Sequence, residues 1–494
     1  MTLRPIVVAI SVLAVSCAVG PDFKPPAAPA VTGFTREKLP PDVGTAGTPQ
    51  RFVEGMDIPG QWWRLFHSEA LDRLIQQAIA TNPNLTAAQA ALRQAWENVY
   101  AQRGSYFPTV GAELDASRNL TPTGALSPAS ASGNPYYSLI TPQLNVSFVP
   151  DVFGANRRAV ESLTAQAENQ RFQLEATYLT LSANIVTGVV QEASLRGQIA
   201  ATEETIRIET HSLTILRRQL ALGQAAGADV AAQEAVLAQT QLTLPPLHKQ
   251  LAQQRDALTA LAGRFPSEEI ATTFRLDDLT LPADLPVSLP AKLVQQRPDI
   301  RAAEETLHSA SAQIGQAVAA RLPQITLTAD VGNSANNAGQ LFTPGTNFWT
   351  LAGGLTAPIF DGGTLLHKQR AAQAGFDQAA AQYRATVITA FQNVADALRA
   401  LQADADALTA ASASEQAAAR SLAIVQRQLD LGQIAYLSLL NAQNTYQQAR
   451  LALVQAEANR LADTVGLFQA LGGGWWNRTD DPAASEVFAR AASP

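Results

Sequence analysis

Side chains able to do chemistry are sparse in this sequence, and their spacing limits what they can do. Acidic pairs stand at Glu203-Glu204 and Asp404/Asp406, the residue type used for general acid–base work. No nucleophile–base set, phosphate-cradling loop or His/Cys ligand spacing accompanies them. They fall in helical stretches rich in polar residues, so they read as solvated helix faces and the chain as a non-enzyme. His67, His211, His248, His308 and His367 are widely scattered and read the same way, with no metal site and no cofactor. The single cysteine, Cys17, excludes an intrachain disulfide and a four-cysteine metal centre.

The chemistry available to Cys17 is acylation. Arg4 and then a short apolar run at residues 6–15 have the order of a secretory signal. The run is too short for a bilayer, which takes roughly 20 apolar residues. Leu13-Ala14-Val15-Ser16-Cys17 looks like a lipoprotein-processing box, although the usual leucine three places before the cysteine is Ala14, with Leu13 one place early. The expectation is a signal peptide over residues 1–16 and a covalent lipid on Cys17. The alternative is an ordinary secretory peptide with an incidental cysteine. No other apolar run is long enough for a membrane-spanning helix.

The elements that would position anything else are long helices. Only 16% of the 494 residues are charged and 6% are aromatic, while Ala, Gln and Leu fill the long segments, the composition of extended packed helices. A net charge of −7 gives no basic face for nucleic acid. Arg427-Gln428-Leu429-Asp430-Leu431-Gly432-Gln433 repeats, about 209 residues later, Arg218-Gln219-Leu220-Ala221-Leu222-Gly223-Gln224. Both copies lie deep in helical sequence, and each glycine marks a place where a long helix turns back. Gly227 belongs to the first turn.

The rest of the chain is doubled in the same way. Residues 18–60 are Pro/Gly/Thr-rich and read as an extended arm. Ser68 is a candidate N-cap for a helix whose apolar stripe is Leu71, Leu74, Ile75, Ala78 and Ile79. Asn82-Pro83-Asn84-Leu85 becomes Arg297-Pro298-Asp299-Ile300, Pro108 becomes Pro323 and Asp115 becomes Asp330, all at an offset of 215. After each of Pro108 and Pro323 the period falls to two, as in Val110, Leu114 and Ala116 against Glu113, Asp115 and Ser117. Pro150 is followed by 94 residues without proline, and Pro245-Pro246 breaks the return helix. The expected organisation is signal peptide 1–16; lipidated arm 17–68; first repeat 69–266, with strands at about 107–118 and 138–149; connector 267–290; second repeat 291–474, with strands at about 323–333 and 347–358; and a flexible tail 475–494.

Four strands with one apolar face have the length of outer-membrane barrel strands but leave two bare edges. A bilayer admits strands only as a closed barrel. Four strands cannot close around an open lumen, whereas three chains supply twelve. Glu113, Asp115 and Asp330 would then face the lumen. A soluble pair of β-hairpins capping a coiled coil is the plainer alternative.

Several motifs resemble the TolC-type outer-membrane factors, specifically the NodT-type lipoproteins of resistance-nodulation-division efflux systems. They are Gly20-Pro21-Asp22-Phe23-Lys24-Pro25-Pro26, Trp62-Trp63-Arg64-Leu65-Phe66, Arg297-Pro298-Asp299-Ile300-Arg301-Ala302-Ala303-Glu304, Leu439-Leu440-Asn441-Ala442-Gln443 and Ala470-Leu471-Gly472-Gly473-Gly474-Trp475. The resemblance covers about residues 17–476. It implies a mixed α and β membrane protein, a homotrimer whose twelve-stranded outer-membrane β-barrel continues into a long periplasmic α-helical barrel. It implies the outer membrane of a Gram-negative bacterium, with outer-membrane lipid, a periplasmic adaptor protein and an inner-membrane transporter as partners. It also places a gate at the two glycine turns, over residues 223–233 and 432–443. The positions matching the family's aspartate ring are Ser438 and Asn441, both neutral here, and Asp229 lacks a basic partner at Gln433 or Ile434. A neutral hydrogen-bonded gate of Asp229, Gln433 and Asn441 is one expectation and ordinary solvated turn residues the other, with Tyr436 packing rather than narrowing the pore.

The leading function is passive export of small molecules through an outer-membrane duct. A protein-secretion duct is the rival of the same architecture, and a non-conducting coiled-coil lipoprotein the rival of another class. Metal cargo is disfavoured by two methionines, Met1 and Met56, and no His/Met clusters.

Overall fold

The computed structural model describes residues 18–37, 42–43, 49–120 and 136–478. The expected signal peptide, Cys17, residues 121–135 and the tail beyond 478 lie outside the described residues. In chain order the elements are β1 (Asp42–Val43), β2 (Gln50–Glu54), α1 (Glu69–Thr81), α2 (Pro83–Arg103), β3 (Thr109–Leu120), β4 (Tyr136–Phe148), α3 (Ala155–Ala221), α4 (Gly227–Leu242), α5 (Leu244–Leu261), β5 (Asp284–Val287), α6 (Pro290–Gln296), α7 (Pro298–Ala319), β6 (Gln324–Asn333), β7 (Asn347–Thr356), α8 (Thr364–Asp430) and α9 (Tyr436–Ala470). They form two compact units, and each of α3 and α8 contributes its first turns to one unit and the rest to the other.

The first unit holds an antiparallel sheet in the order β3-β4-β6-β7. β3 and β4 pair over their whole length, from Thr109↔Ser147 to Leu120↔Tyr136. β4 and β6 pair only from Gln143↔Gly332 to Phe148↔Leu327. Pro142 explains the stop: it has no N–H to give to the ladder. Pairing resumes beyond it in a single bridge, with Ile140 and Ala335 exchanging bonds of 2.9 and 3.1 Å.

The second unit holds the main core. Ser68 caps α1 by accepting from the Leu71 N–H at 3.4 Å, and Leu71, Leu74, Ile75 and Ala78 bury its apolar stripe. Trp62, Trp63 and Phe66, on a 3-10 turn, are fully buried, and Trp62 stacks on Phe468 of α9 with centroids 5.4 Å apart. The Asn82 side chain caps α2 through the Asn84 N–H at 2.9 Å. Pro245 and Pro246 fall in the first turn of α5, where their missing donors are not needed.

Two stretches differ from the sequence reading. The arm at 18–60 carries β1 and β2, and the connector at 267–290 carries β5. Together they form a small sheet in the order β1-β2-β5, with β2 and β5 parallel from Arg51↔Asp284 to Glu54↔Val287. Strands of two to five residues are too short to show a period, and β5 contains Pro286. The small sheet is held by Arg460 of α9, fully buried, which donates to Gln50 Oε1 at 3.0 Å and to the Val43 carbonyl at 2.9 Å.

Three glutamates of α3 are also buried, and each meets a different segment. Glu175 accepts from Arg478 at 3.0 Å, Glu192 from Arg255 of α5 at 2.7 Å, and Glu209 from the Thr240 hydroxyl of α4 at 3.0 Å. A buried charge is tolerated only with such partners. Polar residues along this helix therefore fix which segments lie against it.

Candidate functional site

In the first unit the register sorts the sheet into two faces. One carries Val110, Leu114, Leu144, Leu327, Val331, Trp349, Leu351 and Leu355, aligned across strands as Leu144↔Val331↔Trp349 and Val146↔Ala329↔Leu351. These side chains are exposed, Trp349 by 76% and Leu351 by 75%. The other face carries Glu113, Asp115, Gln143, Asn145, Thr328, Asp330 and Thr350. Glu113 accepts from Gln143 Nε2 at 3.1 Å, and Asp330 lies opposite Asn145 on one side and Thr350 on the other. The three acids singled out in the sequence thus share the polar face. Among the described residues the outer edges of β3 and β7 pair with no strand. A water-soluble sheet buries its apolar face; this one presents it outward, with two bare edges of 12 and 10 residues.

In the second unit the two glycine turns are built alike. Gly223 has φ +74° and Gly432 φ +71°. The Gln224 N–H reaches the Gln219 carbonyl at 2.8 Å and the Gly223 N–H the Leu220 carbonyl at 2.9 Å; the Gln433 N–H reaches Gln428 and the Gly432 N–H reaches Leu429, both at 2.9 Å. This is the Schellman ending, which uses a left-handed residue to satisfy the last carbonyls of a helix. Gly227 is the first residue of α4 and Tyr436 the first of α9.

Beside these turns a line of hydrogen bonds joins α9 to the first hairpin. The Tyr436 hydroxyl donates to Gln233 Oε1 at 2.8 Å, and Gln233 Nε2 donates to the Glu209 carbonyl at 3.1 Å. Gln443 Nε2 donates to Ser212 Oγ at 3.0 Å. Gln233 and Gln443 are buried. The Tyr436 ring packs against Leu213, Leu216 and Val230 on one side and Leu422 and Leu439 on the other. Burial, with the Asp229 and Glu209 carboxylates nearby, pushes the Tyr436 phenol up to about 12, so it stays a donor. Burial also raises Glu209 above the usual carboxylate range.

Of the gate residues expected from sequence, Tyr436 alone takes part in this line. Asp229 is half-buried in the first turn of α4, and Gln433, Ser438 and Asn441 are exposed. No side-chain hydrogen bond joins Asp229, Gln433 and Asn441 among the described residues. Of the buried partners, Gln233 and Gln443 close the two expected gate stretches, whereas Glu209 and Ser212 lie outside them. A signal existed: Gln233 and Thr240 sit on the same helical stripe as Val230 and Leu237, positions where an apolar residue would be expected.

The acidic pairs divide. Glu203 is exposed and Glu204 pairs with Arg207 on the surface, as solvated residues do. Asp404 is different. Its Oδ2 is buried without a partner, and burial together with the neighbouring Asp463 carboxyl pushes it up to about 7. Among the described residues no group of three or more His, Cys, Asp or Glu is placed to hold a metal.

A family model described as outer membrane efflux protein matches residues 74–264 and 289–473. The chain is 29% identical over 468 residues to a toluene efflux pump outer membrane protein, TtgC of Pseudomonas putida, covering 94% of each chain. It is also 29% identical over 418 residues to the pyoverdine export outer membrane protein OpmQ of Pseudomonas aeruginosa, covering 84% of this chain and 87% of that one. Among solved structures, the open state of the Neisseria gonorrhoeae MtrE outer membrane channel is 26% identical, with a TM-score of 0.81, over 94% of this chain and 100% of that one. The Campylobacter jejuni CmeC channel shares the fold at 22% identity and a TM-score of 0.84, over 96% and 98%.

Proposed function

Because the chain belongs to the outer membrane efflux protein family, we propose that it is the outer-membrane exit duct of a tripartite efflux pump, passively exporting small organic molecules. The observation that carries this reading is the two-faced sheet with bare edges. Its apolar face suits hydrocarbon, its polar face suits water, and its edges suit strands of further copies. Three copies, with β7 of one against β3 of the next, give a twelve-stranded barrel lined by Glu113, Asp115 and Asp330. The 67-residue helices α3 and α8, about 100 Å each at 1.5 Å per residue, supply the helical barrel on the periplasmic side. An acyl chain on Cys17 supplements the barrel as an anchor.

Nothing in this duct moves cargo by itself, so an inner-membrane transporter supplies the energy and a periplasmic adaptor protein docks at the hairpin turns. The gate is the zone around Gly223, Gly227 and Gly432, held within each chain by Tyr436 and Gln233. Asp229, Gln433, Ser438 and Asn441 set the polarity of the aperture. The names of the relatives, toluene and pyoverdine exporters, support organic cargo.

The reading is tested by planar-bilayer conductance of the purified, lipid-reconstituted protein, with its mass in detergent. Three-chain particles giving small, mostly closed events, with cation preference rising in Asn441→Asp, are expected. A folded single-chain particle that conducts nothing and cross-links to no periplasmic adaptor would overturn the reading.

A further inference from the structure

Residues 18–24, which follow Cys17 directly, are clamped to α3 and α7 in the first unit. The Val19 N–H donates to the Phe153 carbonyl at 3.1 Å. Arg158 of α3, almost wholly buried, donates through Nε to the Val19 carbonyl at 3.1 Å, and its terminal nitrogens reach the Gly20 carbonyl at 3.4 Å and the carboxylates of Asp22 and Glu161, each at 2.8 Å. Gly20 lies against Gly315 of α7 so closely that a Cβ on Gly20 would stand 2.4 Å from the Gly315 Cα. Phe23 then stacks flat on His308 of α7, with centroids 4.3 Å apart and planes 12° from parallel.

His308 is therefore not the solvated helix histidine that its scattered position suggests. Its Nε2 faces a Glu161 oxygen at 3.1 Å and its Nδ1 a Glu305 oxygen at 3.3 Å. A neutral imidazole has one N–H and one lone pair, so one carboxylate would face a lone pair. Only the imidazolium donates to both. The same charge strengthens the stack, since a cation is drawn to an aromatic face.

We propose that His308 is a proton-operated latch that closes the arm, residues 18–24, onto α3 and α7 when the ring is charged and frees it when the ring is neutral. The charged groups around the ring are Glu161 on α3, Glu305 on its own helix, and Arg158 with Asp22 of the arm, joined to it through Glu161. The two carboxylates outweigh burial and raise His308 above its ordinary value, Glu305 contributing most. Both carboxylates belong to α3 and α7, so the arm's own hold on the charged ring is the Phe23 stack, which favours the closed arrangement fully below the ordinary histidine value. The advantage is lost as pH rises through the raised one. The latch does not depend on the duct reading: it acts on the arm whatever passes through the protein. Its consequence is that the tether between Cys17 and the folded chain shortens in mildly acidic surroundings.

The experiment is hydrogen exchange of the arm amides in the full-length protein in detergent, corrected for intrinsic rates, at about pH 5.5 and about pH 8.5. Exchange in residues 18–24 is expected to be at least about fivefold slower at the lower pH. His308→Phe keeps a ring for Phe23 and should remove the pH dependence. His308→Arg keeps the charge and should hold the arm closed at both values. Equal exchange of the native arm at the two pH values overturns the proposal, and so does a His308→Phe variant with the native pH dependence. Circular dichroism and particle mass check that the variants are folded.

Discussion

One phenol and one buried amide, beside the Gln443–Ser212 bond, link α9 to the first hairpin. Removing the Tyr436 hydroxyl leaves Gln233 Oε1 buried and without its donor, a loss of about 1–3 kcal/mol. Tyr436→Phe should therefore raise the fraction of time the channel spends open while leaving the ring packing intact. An open fraction equal to the native one would remove this bond from the gate. Glu209 beside it gives a pH prediction with the opposite sense to an ordinary ion pair. Burial raises its folded value above the unfolded one, so the folded chain binds the proton more tightly. Its penalty is absent below the usual carboxylate range and grows as pH climbs past it. Glu209→Gln keeps an acceptor for Thr240 and should flatten the fall in thermal stability between mildly acidic and neutral pH. An unchanged pH slope would place that fall elsewhere.

The glycine turns show what an element fixes beyond its residues. An ideal Cβ built on Gly432 would meet nothing within 4 Å, so Gly432→Ala adds no clash, only the cost of holding an L residue at φ +71°, roughly 1–2 kcal/mol. Thermal unfolding should show this loss in Gly223→Ala as well, because the two turns share the same bonds; a loss in one alone would mean that the turns carry unequal loads. These turns were legible in the sequence because glycine closing a long Ala/Gln/Leu stretch has few other readings. The strands of the first unit were legible because they run for ten residues or more, long enough to show a period of two, against the two to five of β1, β2 and β5. What escaped were contacts made by polar residues within helices. Gln233, Glu209, His308 and Arg460 belong to types that are usually solvated. Only the partner reveals the contact, and it lies far off in sequence: 410 residues separate Gln50 from Arg460, and 203 separate Gln233 from Tyr436.

At the scale of the whole molecule, the proposed barrel makes opposite demands on neighbouring residues of one strand. Leu351 and Thr350 are adjacent on β7 and point to opposite faces, Leu351 aligned with Ala329 and Thr350 with Asp330. If the apolar face meets hydrocarbon, Leu351→Arg places a charge in lipid, at about 2–4 kcal/mol near the bilayer midplane. With one such charge per copy, the yield of membrane-inserted protein should fall sharply. Thr350→Arg puts the same charge among Asn145, Asp330 and water, so insertion should be unchanged while cation preference falls, read as a shift in reversal potential under a salt gradient. A soluble sheet capping a coiled coil would respond otherwise. Both faces would then meet water, and the two arginines would be tolerated alike. The pair therefore separates a barrel from a cap without reference to cargo or partners, which is why it tests the architecture before anything is asked of the pump.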